Sequence, residues 1–150
     1  MKIAIASDHR GYDLKSELIS YLKKSNVEII DCGTDSTESV DYPLYAFKLS
    51  TEVVNKNVDF GIVICGTGIG ISIACNKVKG IRCAKVSTVD EARHTREDND
   101  ANVLALHGDM AVSDAIKIVD AFINTDFSNL EKHIRRIKMI TEYEDEHNAR

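Results

Sequence analysis

The chain has 150 residues, a formal net charge of −5, and 43% hydrophobic against 29% charged side chains. That length fits a single domain, 1–150, able to bury a two-sided core without disulfide staples. The acidic balance argues against a partner with a phosphate backbone. No apolar run approaches the roughly 20 residues of a membrane helix, so neither nucleic acid nor membrane is an expected partner.

The first apolar run, KIAIAS (2–7), is cut by Asp8. It is too short for a signal peptide and reads as a strand. From Tyr12 to Lys24, apolar Tyr12, Leu14, Leu18, Ile19 and Leu22 recur at helical steps. Strand character returns in VEIIDCGT (27–34) and stops at Gly33. A polar loop, TDSTESVDYP, carries the only proline, Pro43, ahead of a helix predicted over 44–55. The strand FGIVIC (60–65) then runs into a glycine turn and a helix over 70–78. IRCAKV (81–86), a polar helix over 88–97 and the strand NVLAL (102–106) follow, before helices over 112–124 and 129–147.

Strands alternating with helices at this pitch predict an α/β protein with a parallel sheet covered on both faces. GIVIC and NVLAL are near-continuous apolar runs, as doubly buried strands should be. The expected architecture is one three-layer α/β/α domain around five parallel strands. In such sheets ligands bind outside the carboxyl ends of the strands. Asp8, His9 and Arg10, then Gly33 to Tyr42, then Cys65 to Gly70 should therefore share one edge.

The four cysteines, Cys32, Cys65, Cys75 and Cys83, form no CxxC pair and no zinc-like cluster with histidine, so no metal is expected. Without an export signal they read as free thiols in a reducing cytoplasm. Cys75 and Cys83 read as small buried hydrophobes. Cys65 differs, because it opens CGTGIG (65–70). Gly66, Gly68 and Gly70 let backbone amides approach an anion at a helix N-terminus. The loop lacks the first-strand position of a dinucleotide fingerprint and the Gly-Lys-Ser/Thr of a phosphate-binding Walker loop. A tight turn with no ligand is the alternative. A free thiol is only a few per cent ionised at neutral pH, and a helix N-terminus or nearby cation makes it a more competent base. Asp8 alone fits a helix cap, but the cations His9 and Arg10 beside it are unexplained by capping. REDNDANV (96–103) reads as a polar turn. In EKHIRRIKMI (131–140), Lys132 and Arg136 share a helix face and could grip a phosphate.

The motifs SDHRGYDLK, DCGT, DYP, GIVICGTGIGISIACNKVKGIRCA and DNDANVLAL, in order along nearly the whole chain, resemble the B-type ribose-5-phosphate isomerases. The wider family includes galactose-6-phosphate and allose-6-phosphate isomerases. The resemblance implies a Rossmann-like fold and a homodimer or homotetramer whose active sites lie between subunits. It also implies aldose–ketose isomerisation of a sugar phosphate through an enediolate, with no cofactor, in pentose-phosphate metabolism. Carried onto this chain, Cys65 matches the base and the amides of Gly66, Gly68, Ile69 and Gly70 the anion hole. Thr67 matches a hydroxyl that handles protons, Asp8 a ligand for sugar hydroxyls, and His9, Tyr42 and Asn99 further substrate contacts. Arg136 matches a phosphate-binding arginine.

Three positions depart from the family pattern. Asp98 stands where many relatives carry the histidine credited with opening the furanose ring. That task falls to Asp98, Thr67 or His9. HGDM (107–110) puts Met110 in a place where many have a phosphate-gripping arginine, and Lys132 stands for another arginine without its bidentate fork. The leading expectation is ribose 5-phosphate isomerisation. The alternatives are a hexose 6-phosphate substrate, or a sugar-phosphate sensor without turnover.

Overall fold

A computed structural model describes residues 1–147. Its elements are β1 (Lys2–Ser7), α1 (Tyr12–Lys24), β2 (Glu28–Asp31), α2 (Tyr42–Val54), β3 (Phe60–Cys65) and α3 (Ile69–Asn76). β4 (Cys83–Lys85), α4 (Val89–Asn99), β5 (Val103–His107), α5 (Val112–Ile123) and α6 (Glu131–His147) complete the chain. The strands form one parallel sheet in the order β2-β1-β3-β5-β4, helices lie on both faces, and the expected five-stranded α/β/α sandwich is the fold found. No helix among the described residues is long and apolar enough to cross a membrane.

Strand alternation sorts the core into two. Ile3, Ile5, Ile62, Ile64, Leu104 and Leu106 pack with Leu14, Leu18 and Leu22 of α1 and with Ile118, Val119 and Phe122 of α5. The intervening Ala4, Ala6, Val63, Cys65, Val103 and Ala105 pack with Ala46, Leu49 and Val53 of α2 and Ile71, Ala74 and Cys75 of α3. Small residues on that second face let α2 and α3 approach the sheet closely, which brings the α3 N-terminus down onto the end of β3.

Several boundaries differ from expectation, three of them with a visible cause. α2 begins at Tyr42, one residue before Pro43, because the first helical turn needs no proline N–H. β4 is short because the Arg82 N–H leaves the ladder for the Asn102 side chain, 2.8 Å away. α4 runs on to Asn99, so Asp98 and Asn99 lie on a helix and not in a polar turn. The cause is Arg96, which is buried. Its Nη1 donates to Asp100 Oδ1 at 2.8 Å and to the Ala101 carbonyl at 2.7 Å, and its guanidinium lies over the Phe60 and Phe122 rings. Asp100 closes the helix in the left-handed conformation.

The chain steps from β1 outward to β2, then back past β1 to β3. The switch point therefore lies between β1 and β3, whose carboxyl ends carry Asp8 and Cys65.

Candidate active site

Asp8 follows β1 and is 6% exposed. Its Oδ1 accepts from the amides of Arg10 (2.9 Å) and Gly11 (3.1 Å), so one oxygen shapes the turn into α1 and the other is left for a ligand. The Asp8 N–H donates to the Ile64 carbonyl at 3.2 Å, which ties this turn to the end of β3. His9 Nδ1 accepts the Val40 N–H at 3.2 Å. That bond places the imidazole proton of the neutral ring on Nε2, making His9 a hydrogen-bond donor on its free side.

Cys65 ends β3, is 4% exposed and is flanked in the ladder by His107 of β5. Its carbonyl accepts the Gly108 N–H at 2.9 Å. The loop beyond it is walled on several sides. A Cβ on Gly66 would meet the Arg10 guanidinium at 2.5 Å, and one on Gly70 the Tyr42 ring at 2.7 Å. Arg10 thus lays a cation over the loop, and its Nη2 is 3.8 Å from Asp109. Thr67 Oγ1 accepts the Ile69 N–H at 3.1 Å, so the Ile69 amide is already engaged. The amides of Gly66, Thr67 and Gly68 have no protein acceptor among the described residues. They lie at the positive N-terminus of α3, where an oxyanion would be held by donors that need no rearrangement.

Gly68 adopts φ 75°, and a Cβ there would sit 2.9 Å from the Leu106 carbonyl carbon. Backbone cannot swing aside as a side chain can. Gly68→Ala is expected to destabilise the fold by about 1–3 kcal/mol, from left-handed strain and this clash. Displacing the loop should also lower turnover about 10- to 100-fold. Thermal unfolding and a turnover assay check both, and a variant matching the parent would mean the loop tolerates the shift.

A second group lies elsewhere. Asp98 and Asn99 end α4 beside the amino end of β5, at the opposite edge of the sheet from Cys65. They share a hollow of about 160 Å³ with Arg82, His133 and Arg136. Lys132 is exposed beside it at the start of α6. Asp98 Oδ1 is 3.2 Å from His133 Nε2, and Asn99 Oδ1 accepts the Thr95 hydroxyl at 3.2 Å. Within one chain, then, Asp8, His9, Tyr42, Cys65, Thr67 and the glycine loop come together. Asp98, Asn99, Lys132 and Arg136 form a separate set.

Met110, expected in a phosphate-gripping place, is instead buried in the core with Ile118 and Val89. The turn leaves Asp109 exposed in its stead, because Met110 is drawn under the start of α5. Sequence reading passed over two residues. His107 continues the period-two series Val103, Ala105, and that alternation was the available signal. His133 lay inside a helix read only for its charge. Of the other thiols, burial pushes Cys32 up to about 11, and Cys83 is raised by a hydrogen bond to Cys75 and by burial. Among the described residues no group of three or more potential ligands could hold a metal.

Comparison with known proteins agrees on one family. Residues 3–140 match the model of the Ribose/Galactose Isomerase family. The chain is similar to ribose-5-phosphate isomerase B of Escherichia coli, at 43% identity over 98% of this chain and 99% of the relative. It is also similar to the structure of Clostridium thermocellum ribose-5-phosphate isomerase B, with TM-score 0.95, 47% identity, and 98% and 99% of the two chains covered. The Mycoplasma genitalium ribose-5-phosphate isomerase B structure, solved with bound ribulose-5-phosphate, has TM-score 0.91 and 40% identity over 97% of each chain.

Proposed function

We propose, from the premise that this chain belongs to the ribose/galactose isomerase family, that it interconverts ribose 5-phosphate and ribulose 5-phosphate through an enediolate. The observation that carries this reading is Cys65 at the topological switch point, directly before amides free to hold an anion.

In an open-chain aldose phosphate the C1 carbonyl makes the C2 proton acidic. The Cys65 thiolate takes that proton and returns it to C1. The charge that develops on oxygen is held by the free amides of Gly66, Thr67 and Gly68, under the Arg10 cation. Thr67 relays protons between substrate oxygens. The free oxygen of Asp8 accepts a sugar hydroxyl, Tyr42 walls the pocket, and His9 donates from Nε2 toward the phosphate end. None of these steps calls for a metal or nucleotide.

Phosphate binding is assigned to Arg136 and Lys132, with Asn99 and Asp98 beside them, contributed by a second copy of the chain. Two observations support a homodimer. The two residue sets are at opposite edges of one sheet, and Leu44, Phe47, Ile69 and Ile73 expose an apolar surface beside the Cys65 loop. The four free cysteines are compatible with a reducing cytosol.

Proton NMR of the protein with ribose 5-phosphate in heavy water tests the reaction. Ribulose 5-phosphate should appear with exchange of the transferred proton. No turnover of ribose 5-phosphate alongside rapid turnover of allose or galactose 6-phosphate would move the substrate to a hexose. Mixing tests the shared site. Cys65→Ala and Arg136→Ala dimers, each nearly inactive, should regain about one quarter of parental activity after subunit exchange, because half the dimers are mixed and each carries one intact site. No recovery, with exchange confirmed by mass, would place both residues in one subunit's site.

A further inference from the structure

We propose that Arg10 is a catalytic residue whose guanidinium donates to the enediolate oxygens, exchanging for them Asp109, the counter-charge it faces in the free protein. This rests on the isomerase reading above and makes a neighbouring cation a direct ligand of the reacting atoms.

Arg10 is the cation of SDHRG that sits beside the Asp8 cap without being explained by it. Its backbone is fixed. The Arg10 N–H donates to Asp8 Oδ1 at 2.9 Å, and its carbonyl lies so close to Gly108 that a Cβ there would sit 2.3 Å away. The turns after β1, β3 and β5 therefore meet at this residue. From there the side chain crosses the glycine loop. A Cβ on Gly66 would meet Nη1 at 2.5 Å, Cζ at 2.6 Å and Nε at 2.8 Å, so the guanidinium lies face-on over the Gly66 Cα. Gly66 directly follows Cys65, which puts the fork beside the carbons whose proton Cys65 moves.

The donors of that fork are unspent. Among the described residues no acceptor is within hydrogen-bond reach of the guanidinium, and the Asp109 carboxylate stands 3.8 Å from Nη2. The two side chains are 56% and 77% exposed, so water screens the pair and it is a weak tether. A cation placed by its backbone and stem, with its N–H groups free, is preorganised for an anion.

That anion is the enediolate and not the phosphate. The phosphate lies three carbons and an ester oxygen beyond C2, whereas the fork lies one residue from Cys65. The open-chain aldehyde is neutral and gains charge only as the C2 proton leaves. A donor placed here therefore bonds most strongly in the transition state, and acts on kcat more than on KM. With one base working on one face the enediolate is cis, and its two oxygens match two parallel N–H groups of the fork. Arg10 keeps its own protons throughout.

The experiment measures steady-state turnover of ribose 5-phosphate by the full-length chain, with inorganic phosphate as a competing anion. Arg10→Ala is expected to lower kcat about 10- to 100-fold, with KM and phosphate inhibition within about two-fold of the parent. Millimolar guanidinium chloride should restore part of that kcat in Arg10→Ala and none in the parent. Gly66→Ala, whose Cβ displaces the guanidinium, should cost about 10-fold in the parent and less than about 3-fold more in Arg10→Ala, where that group is already gone. Asp109→Asn removes the competing carboxylate and should raise kcat about two- to five-fold. A fall in kcat there would make Asp109 a tether and overturn its part as an exchanged counter-charge. Parental kcat in Arg10→Ala, a loss carried by KM or by phosphate inhibition, or full additivity with Gly66→Ala would overturn the role of Arg10 and leave the isomerase reading standing. A parent that turns over no aldose phosphate would overturn both.

Discussion

Cys65→Ala is expected to slow turnover on the order of 10³-fold while leaving a folded protein. The thiol sits where the backbone delivers a strand end, free amides and the Arg10 cation together. Removing its sulfur deletes a single buried atom, at about 1 kcal/mol, which lowers the melting temperature of a domain this size by about 2–4 °C. Binding of the substrate's phosphate end should persist. Cys65→Ser should be nearly as slow, since a hydroxyl is far less acidic than a thiol. Cys32→Ala makes the control, because burial holds that thiol at about 11 and it has no part in the site. Initial rates with calorimetry on the same samples decide the matter. Parental turnover in Cys65→Ala would remove the thiol as base.

The largest expected effect on stability comes from Asp31→Ala, about 3 kcal/mol. Lys15 on α1 is 1% exposed, and its Nζ lies 2.6 Å from Asp31 Oδ1. Without Asp31 a buried ammonium loses its counter-charge, and the Tyr12 ring at 5.5 Å is a weak substitute. The same oxygen accepts the Gly33 N–H at 2.9 Å. Gly33 in turn accepts the Ser7 N–H at 2.7 Å, and Ser7 accepts the Thr34 N–H at 2.8 Å. The damage therefore reaches the residue before Asp8, and the Michaelis constant should rise as well. Lys15→Met, which replaces the buried charge with an apolar chain, should cost much less, and adding it to Asp31→Ala should restore part of the loss. Urea unfolding of the three variants measures this. A loss below about 0.5 kcal/mol in Asp31→Ala would mean the pair is solvated in the folded protein.

Much of the Cys65 residue set was legible because it is local. CGTGIG reads as a strand end, a turn and a helix start within six consecutive residues, and the parallel run of the strands placed Cys65 and Asp8 at one carboxyl edge. What lay beyond reach depended on residues distant in the chain. Asp98 looked like part of a polar turn because nothing in REDNDANV announces that Arg96 will bury itself, clamp Asp100 and extend the helix. Met110 was read only as a lost phosphate-gripping arginine, because its draw into the core comes from Ile118 and Val89, which meet it only after folding.

By itself, then, the sequence determined the α/β class, the five strands, and the grouping of Asp8 and Cys65 at the carboxyl ends of neighbouring strands. Each follows from periodicity or from groups joined by a few covalent bonds. Tertiary structure alone decided the strand order, the pairing of buried Lys15 with half-exposed Asp31, the contact of His133 with Asp98, and the separation of the Cys65 and Arg136 residue sets. Those depend on which surfaces meet when helices close over a sheet, and side-chain burial sets that across separations no local pattern encodes.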